Sequence, residues 1–311
     1  MKVNIELLKK LYLIEHPSRE EHKMISFVIN YCKWIEGVTF ELDHYNNLFV
    51  TKNTTNPVIY PCIVAHMDEV QHYKFPKEVI VKNDMIFARY IGNKQQCGLG
   101  ADDANGIYVA LHLLKILPNL KVCFTVEEEI GGFGAFEASY NLEFFSNCQY
   151  LLQADRRGKS DLIVNTNGIT IVSDLFYDHL VDVAEKFNYS PEFGTFTDVG
   201  VLCEELELSG LNISCGYYNE HTPKECTNIK ELENCLNFIY NIIITLNDAV
   251  YPLEIPDSII DTHYDMYMED DAYLAELEKK YLTYDVGKEI DDYGQKCAQC
   301  SHFDCQRCDY Y

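Results

Sequence analysis

Residues 98–132 read GLGADDANGIYVALHLLKILPNLKVCFTVEEEIGG. Gly98-Leu99-Gly100-Ala101 is a turn that delivers two adjacent acids, Asp102 and Asp103, to the start of a helix. Ile107, Ala110, Leu111, Leu114 and Leu117 recur at helical spacing. Pro118 stops that helix, because proline lacks the N–H the next turn needs. Lys121 to Val126 then forms a short apolar strand that runs into Glu127-Glu128-Glu129 and a second glycine turn. Acids thus stand at the carboxyl end of a strand and in the loop after it, where open α/β sheets bind ligands.

The same pattern continues outward. Val58 to Ala65 is an extended run that delivers His66-Met67-Asp68, Tyr150 to Ala154 delivers Asp155, and Leu211 to Cys215 precedes His221. A helix over Leu7 to Ile14 and a second from Pro17-Ser18-Arg19-Glu20-Glu21 to about Glu36 open the chain. Strands follow at Thr39 to Leu42 and Asn47 to Lys52, then a hairpin of Val79 to Val81 and Met85 to Tyr90 around Lys82-Asn83-Asp84. Beyond Asp155 come a strand at Leu162 to Val164, helices near Asp174 to Phe187 and from Thr197-Asp198, and a closing helix from Ile229 to Leu246. The expected fold is a three-layer α/β/α domain over residues 1–250 with a mixed, largely parallel central sheet.

Bulk properties set the function classes. At 311 residues and 47% hydrophobic the chain can bury a substantial core. No apolar run approaches the roughly 18 residues of a membrane span, and the amino terminus lacks the apolar stretch of a signal peptide. A soluble cytoplasmic protein without membrane contact is expected, its 13 cysteines mostly reduced core thiols. A net charge of -24 argues against nucleic acid, since phosphate contacts need clustered Lys and Arg. A neutral or cationic substrate fits better. From Val250 onward the chain carries 15 acidic against 5 basic residues, so residues 251–311 read as a separate acidic tail, with a helical stretch near Ala272 to Tyr281.

The chemistry rests on ligand identity. His66, Asp102, one glutamate of the Glu127-Glu128-Glu129 run, Asp155 and His221 supply five metal-type side chains, and imidazole with carboxylate suits zinc, manganese or cobalt, whereas calcium would take oxygen only. Each has an ordinary explanation alone: a loop histidine, a helix cap, a charged helix start, a turn residue. Capping accounts for one of Asp102 and Asp103 but not both. The two oxygens of Asp102 could each take one cation, within the roughly 3.5 to 4 Å spacing of two-metal hydrolysis. Asp68, two residues after His66, can fold back onto the other imidazole nitrogen and orient it. Glu128, beside a ligand and crowded by acids, is the candidate base for a water held at the cations.

These blocks, Ala65-His66-Met67-Asp68-Glu69-Val70, Gly100-Ala101-Asp102-Asp103-Ala104-Asn105-Gly106, Glu127-Glu128-Glu129-Ile130-Gly131 and His221-Thr222-Pro223-Lys224-Glu225, resemble those of the co-catalytic zinc exopeptidases. That superfamily includes leucyl, glutamyl and tripeptide aminopeptidases, and its blocks occur in this order. The resemblance covers about residues 1 to 250. It implies His66 and Asp155 on one metal, Glu129 and His221 on the other, Asp102 bridging, Glu128 as general base and Asp68 behind His66. It also implies an aminopeptidase acting on short peptides. Relatives that act as carboxypeptidases or N-acyl amino acid amidohydrolases, single-zinc glutaminyl cyclases and a non-catalytic binding module on the same fold are the alternatives.

The spacing departs from the lid-bearing branches. Only 33 residues separate Asp68 from Asp102 and 65 separate Asp155 from His221, too few for an inserted domain beside the elements already assigned. A lidless catalytic domain is expected, and the oligomeric state is left open. Arg156, Arg157, Tyr217 and Tyr218 are candidate substrate contacts, and Asp198 resembles a family position near the metals. In the tail, Cys297-x-x-Cys300 and Cys305-x-x-Cys308 suit a structural zinc, with an iron–sulfur cluster, disulfides or free thiols as alternatives.

Overall fold

The computed structural model describes residues 1–246 and 249–253. The tail with Cys297, Cys300, Cys305 and Cys308, and the helix expected near Ala272 to Tyr281, lie outside the described residues. Helix α1 (Ile5–Leu13) is capped by Asn4, whose side chain accepts the N–H groups of Glu6 and Leu7, and it buries Leu7, Leu8, Leu11 and Tyr12. Helix α2 (His22–Cys32) starts later than the sequence suggests. Arg19 adopts a left-handed φ of 74°, Pro17 bridges Glu69, and the Ser18 hydroxyl donates to Asp68. Residues 17–21 thus serve as a turn tied to the loop after His66, so they cannot open a helix.

Nine strands form the central sheet: β1 (Val38–Leu42), β2 (Leu48–Asn53), β3 (Tyr60–His66), β7 (Asn119–Thr125), β8 (Cys148–Arg156), β9 (Asp161–Thr166), β10 (Ile169–Thr170), β11 (Ser190–Gly194) and β12 (Gly210–Ser214). Their order is β1-β2-β7-β3-β8-β12-β9-β10, with β11 paired to β9. The ladders β7-β3, β3-β8, β8-β12 and β9-β11 are parallel, whereas β1-β2-β7 and β12-β9-β10 are antiparallel. The sheet is therefore mixed, with parallel strands at its centre. Every residue of β3 is buried, as expected of a central parallel strand covered on both faces.

Side chains alternate across each strand. Cys62 and Val64 of β3, Cys123 of β7 and Leu151 of β8 pack with Ala135, Ala138, Phe144, Phe145, Val199 and Leu202. Those partners come from three helices on one face, α4 (Phe133–Ser139), α5 (Leu142–Phe145) and α7 (Asp198–Leu206). Helix α3 (Ala101–Ile116) covers β3, β7 and β8 on the other face, with α1, α2 and α8 (Ile229–Thr245) against it and α6 (Asp174–Phe187) beside α8. Three layers result. Helices α4 and α5 were not assigned from the sequence; they are short, and glycines open the first of them.

A second, five-stranded sheet was also missed apart from its hairpin. It comprises β4 (Lys77–Lys82), β5 (Met85–Tyr90), β6 (Gln96–Cys97), β13 (Tyr217–Tyr218) and β14 (Cys226–Asn228). Asn83 and Asp84 both have left-handed φ, 52° and 63°, the conformation of a tight two-residue hairpin. Strand β4 pairs along one edge of β5, so β14 and β6 lie end to end on the other, with Cys226 opposite Phe87 and Cys97 opposite Ala88. This arrangement brings the chain just before Cys226 next to the chain just after Cys97. Those two loops carry His221 and Asp102.

Candidate metal centre

His66 ends β3 and is fully buried. Its Nδ1 lies 3.1 Å from the Asp68 carbonyl oxygen and 3.3 Å from Asp68 Oδ1. Two acceptors there hold the proton on Nδ1 and leave Nε2 as the donor atom for a cation. Nε2 in turn lies 3.0 Å from Asp102 Oδ1 and 3.7 Å from Asp155 Oδ1. Asp68 has further partners. It accepts the Ser18 hydroxyl at 2.7 Å and the backbone N–H groups of Glu128 and Glu129 at 3.0 and 3.1 Å.

The glutamate run divides into three roles of position. Glu127 has a left-handed φ of 56°, which turns the chain out of β7, and its side chain is braced by the Tyr45 hydroxyl at 2.9 Å and Arg19 at 3.7 Å. Glu128 and Glu129 line the cavity. Glu129 Oε1 sits 2.8 Å from His221 Nε2. That same imidazole nitrogen is 3.3 Å from Asp102 Oδ2. Asp102 therefore splits its two oxygens between two histidines.

Asp103, joined to Asp102 by a cis peptide bond, is engaged by the backbone. Its carboxylate accepts the His66 backbone N–H at 3.3 Å and the Gly106 N–H at 2.9 Å, capping the regular part of α3. Asp155 ends β8 beside the cavity, and its carboxylate accepts the Tyr217 hydroxyl and the Gln153 amide, each at 3.2 Å. Sequence reasoning gave Glu225 no role. It accepts four consecutive backbone N–H groups, from Leu99, Gly100, Ala101 and Asp102, at 2.8, 2.8, 2.7 and 3.2 Å. The signal was a lone acid four residues after His221, immediately before a strand.

Crowded acids in a desolvated site resist ionisation. Burial pushes Asp155 up to about 8 and raises Glu128 well above the usual carboxylate range, with neighbouring acids adding to both. Burial also raises Glu129. Asp102 goes the other way: burial opposes its ionisation, but hydrogen bonds with His221 and His66 outweigh that and hold it well below the usual range. The bonds from Asp102 and Glu129 raise His221 to about 10. Burial works against protonated His66, yet Asp102, Asp155 and Asp68 raise it well above an ordinary imidazole. The carboxylates thus favour positive charge at both imidazole positions.

The donor set fits divalent cations. Around zinc at about 2.0 to 2.1 Å, tetrahedral donors stand about 3.3 Å apart. The separations here, 3.0 and 3.7 Å around His66 Nε2 and 2.8 and 3.3 Å around His221 Nε2, bracket that value. Donor atoms of Asp102, Glu129 and His221 all lie within 4.8 Å of one another, and so do those of His66, Asp103 and Asp155. In the second group Asp103 is already engaged by two backbone donors, so Asp102, whose Oδ1 lies 3.0 Å from Nε2, is the better third partner of His66.

A cavity of about 330 Å³ opens onto Asp102, Glu128, Glu129, Asp155 and His221. Arg156 and Arg157 line it together with Tyr217 and Glu220. Arg156 Nε reaches Asp161 at 3.3 Å and Arg157 Nη1 reaches Glu220 at 3.0 Å. Tyr218 is not in the wall; its hydroxyl donates to Glu231 at 2.6 Å. Asp198 is buried at the start of α7, where its Oδ2 accepts the Thr125 hydroxyl and its Oδ1 has no partner among the described residues. Burial pushes its carboxyl up to about 7.

No protein family and no curated protein matches the sequence. Solved structures do. The aminopeptidase PepT from Bacillus cereus aligns over 77% of this chain and 96% of its own, with TM-score 0.64 and 14% identity. A tripeptidase from Staphylococcus aureus covers the same shares with TM-score 0.62 and 16% identity. The chain has the aminopeptidase fold. An aminopeptidase from the archaeon Desulfurococcus kamchatkensis shares it as well, at TM-score 0.57 and 18% identity over 78% of this chain and 94% of that one. Within this fold the stretch from Asp68 to Asp102 is taken up by β4, β5 and β6, and that from Asp155 to His221 by β9 to β13 with α6 and α7. Among the described residues neither forms an inserted domain. No described helix is long and apolar enough to cross a membrane.

Proposed function

We propose that this chain is a two-metal exopeptidase, in the first instance an aminopeptidase that removes amino-terminal residues from short peptides. One observation carries the reading: the Asp102 carboxylate presents Oδ1 to His66 and Oδ2 to His221, at 3.0 and 3.3 Å. In that reading His66 and Asp155 hold one cation, Glu129 and His221 the other, and Asp102 joins them, with zinc the best match to the donors and manganese or cobalt also suited. Such cations supply Lewis acidity toward a scissile carbonyl oxygen and toward water.

The protein's own groups do the rest. Glu128 takes a proton from the attacking water as its oxygen adds to the carbonyl carbon, then returns it to the leaving amine as the C–N bond breaks. Its raised pKa suits a group that must both accept and give. Asp68 keeps the His66 Nδ1 proton in place and, through the N–H groups of Glu128 and Glu129, fixes the base and a ligand together. Tyr217 holds Asp155 in orientation.

A second reading is hydrolysis of a carboxyl-terminal residue or of an N-acyl amino acid. Arg156 and Arg157 favour it, because a guanidinium in the cavity wall can bind a substrate carboxylate bidentately. Purified protein loaded with zinc or manganese is assayed on aminoacyl-p-nitroanilides, free and amidated dipeptides and tripeptides, and N-acyl amino acids. Release of free amino-terminal residues, lost on chelation, supports the first reading. Activity confined to substrates with a free carboxylate supports the second, and inertness towards all of them sinks both.

A further inference from the structure

The Leu99–Asp102 turn is held by a buried side chain that belongs to the opposite half of the metal centre. Glu225 is 1% exposed and lies on the His221 loop. Its Oε2 accepts the N–H groups of Leu99 and Gly100 and, at a longer 3.4 Å, the Gln71 side-chain amide, and its Oε1 accepts those of Ala101 and Asp102, so no lone-pair position of the carboxylate is left unused. The turn is fixed from its other side too. Lys77 Nζ donates to the Leu99 carbonyl at 3.1 Å and lies 3.5 Å from the centre of the Tyr73 ring, whose hydroxyl donates to Glu69 at 2.6 Å. Gly100 has a φ of 75°, and a Cβ there would stand 2.7 Å from Glu69 Oε2.

We propose that Glu225 is a positioning residue that sets the spacing between the two cation sites, by tying the backbone of Asp102 to the loop that carries His221. The proposal rests on the two-metal reading above. Asp102 must aim one oxygen at each histidine, and its backbone N–H is the last of the four that Glu225 holds. His221 is only four residues away along the chain, with a left-handed φ of 59° and a side chain 44% exposed. Residues 221–224 are exposed, and Glu225 is the buried anchor of that loop. The carboxylate therefore does for the His221–Asp102 distance what strand pairing does for His66 and Asp155, which end the adjacent strands β3 and β8. Its own placement follows from β14 and β6 meeting end to end on β5.

Glutamine at this position has nearly the same shape but one acceptor oxygen, and its NH₂ faces N–H donors. The test compares wild type with Glu225→Gln and, should that variant not fold, Glu225→Asp, which is one methylene too short to reach all four groups. Two measurements are made on chelator-treated protein. Amide hydrogen exchange follows residues 99–102, and zinc or manganese alone is titrated calorimetrically. The expected result is at least tenfold faster exchange confined to 99–102, with the weaker cation bound 10- to 100-fold less tightly, the range seen when groups that orient ligands are lost. Unchanged exchange at 99–102 or two cations bound with wild-type affinity overturns the proposal. A general loss of stability without those two changes also overturns it, since that marks an ordinary structural role. If wild type binds no cation, the two-metal reading fails instead, and the exchange measurement still decides whether the clamp exists.

Discussion

Replacing Asp68 by asparagine separates the orienting role of this carboxylate from its charge. Asp68 is fully buried and has four donors around it: the Ser18 hydroxyl, the N–H groups of Glu128 and Glu129, and His66 Nδ1. Asparagine keeps one acceptor oxygen, enough for the Glu128 N–H and the imidazole. Its NH₂ then faces Ser18, which can rotate to accept, and the Glu129 N–H, which cannot. One buried donor left unpaired costs about 1–3 kcal/mol. The imidazole also loses a charged partner, and removal of such partners typically weakens metal binding by about 10- to 100-fold, or about 1.4–2.7 kcal/mol.

The expected result is a chelator-treated variant less stable by about 1–3 kcal/mol in urea unfolding. Cation binding by calorimetry and kcat/KM should each fall by about 10- to 100-fold. Ser18→Ala, which removes one hydroxyl bond only, should cost about 1 kcal/mol and leave cation affinity within about twofold. The reasoning is refuted if Asp68→Asn binds cations as wild type does, because the imidazole would then need no carboxylate to hold its tautomer.

Four further outcomes follow from the same geometry. If Glu128 is the base, as proposed, and not a ligand, Glu128→Gln should lower kcat by about 10²- to 10⁴-fold while metal analysis still finds two cations. Chelation should lower the melting temperature, and restoring cations to about 100 times their dissociation constant should regain about 2.7 kcal/mol per site. Gly134→Ala should destabilise the fold by about 1–3 kcal/mol in urea unfolding, because the added Cβ would stand 2.0 Å from the Val126 carbonyl oxygen, a backbone atom just past the end of β7 that cannot step aside. Glu21 is pushed up to about 8 by burial, with the Asp68 charge adding to it. The folded state then holds a proton that the unfolded state releases near pH 4.5, so stability falls with rising pH between about 4.5 and 8, by at most about 1.4 kcal/mol per unit. Glu21→Gln should abolish that part of the slope when both proteins are unfolded in urea at pH 5 and pH 8.

Much of this architecture was legible because local and global signals agree. Each proposed ligand on the central sheet follows an apolar run and stands where its strand leaves the sheet, which is where open α/β sheets bind ligands. His66 after Val64-Ala65 and Asp155 after Leu152-Gln153-Ala154 therefore announced themselves. The helix expected over Asp174 to Phe187 has those bounds, because Ser173 caps it and Asn188 closes it in a left-handed conformation. Helix α2 was misplaced at its start because Arg19 and Ser18 are drawn to the site, a tertiary pull that no local preference records.

What stayed hidden shares one physical cause. Strands β6, β13 and β14 are two or three residues long, too short for a period of two to be visible, and they are strands only because β5 accepts β6 and β14, and β14 in turn accepts β13. Glu225 lies on the loop just before β14. As one of 49 acidic residues it carries no local mark, and its meaning resides in amide groups 123 to 126 positions earlier in the chain. The identity of each candidate donor is thus written beside its strand, while the distance between the two proposed cation sites would be written in the pairing of short strands. A substitution that unpairs β14 from β5, such as Thr227→Pro, should accordingly leave His66 and Asp155 in place and move His221, weakening one cation site and sparing the other. Equal loss at both sites in a calorimetric titration would show instead that the centre is built as a single unit.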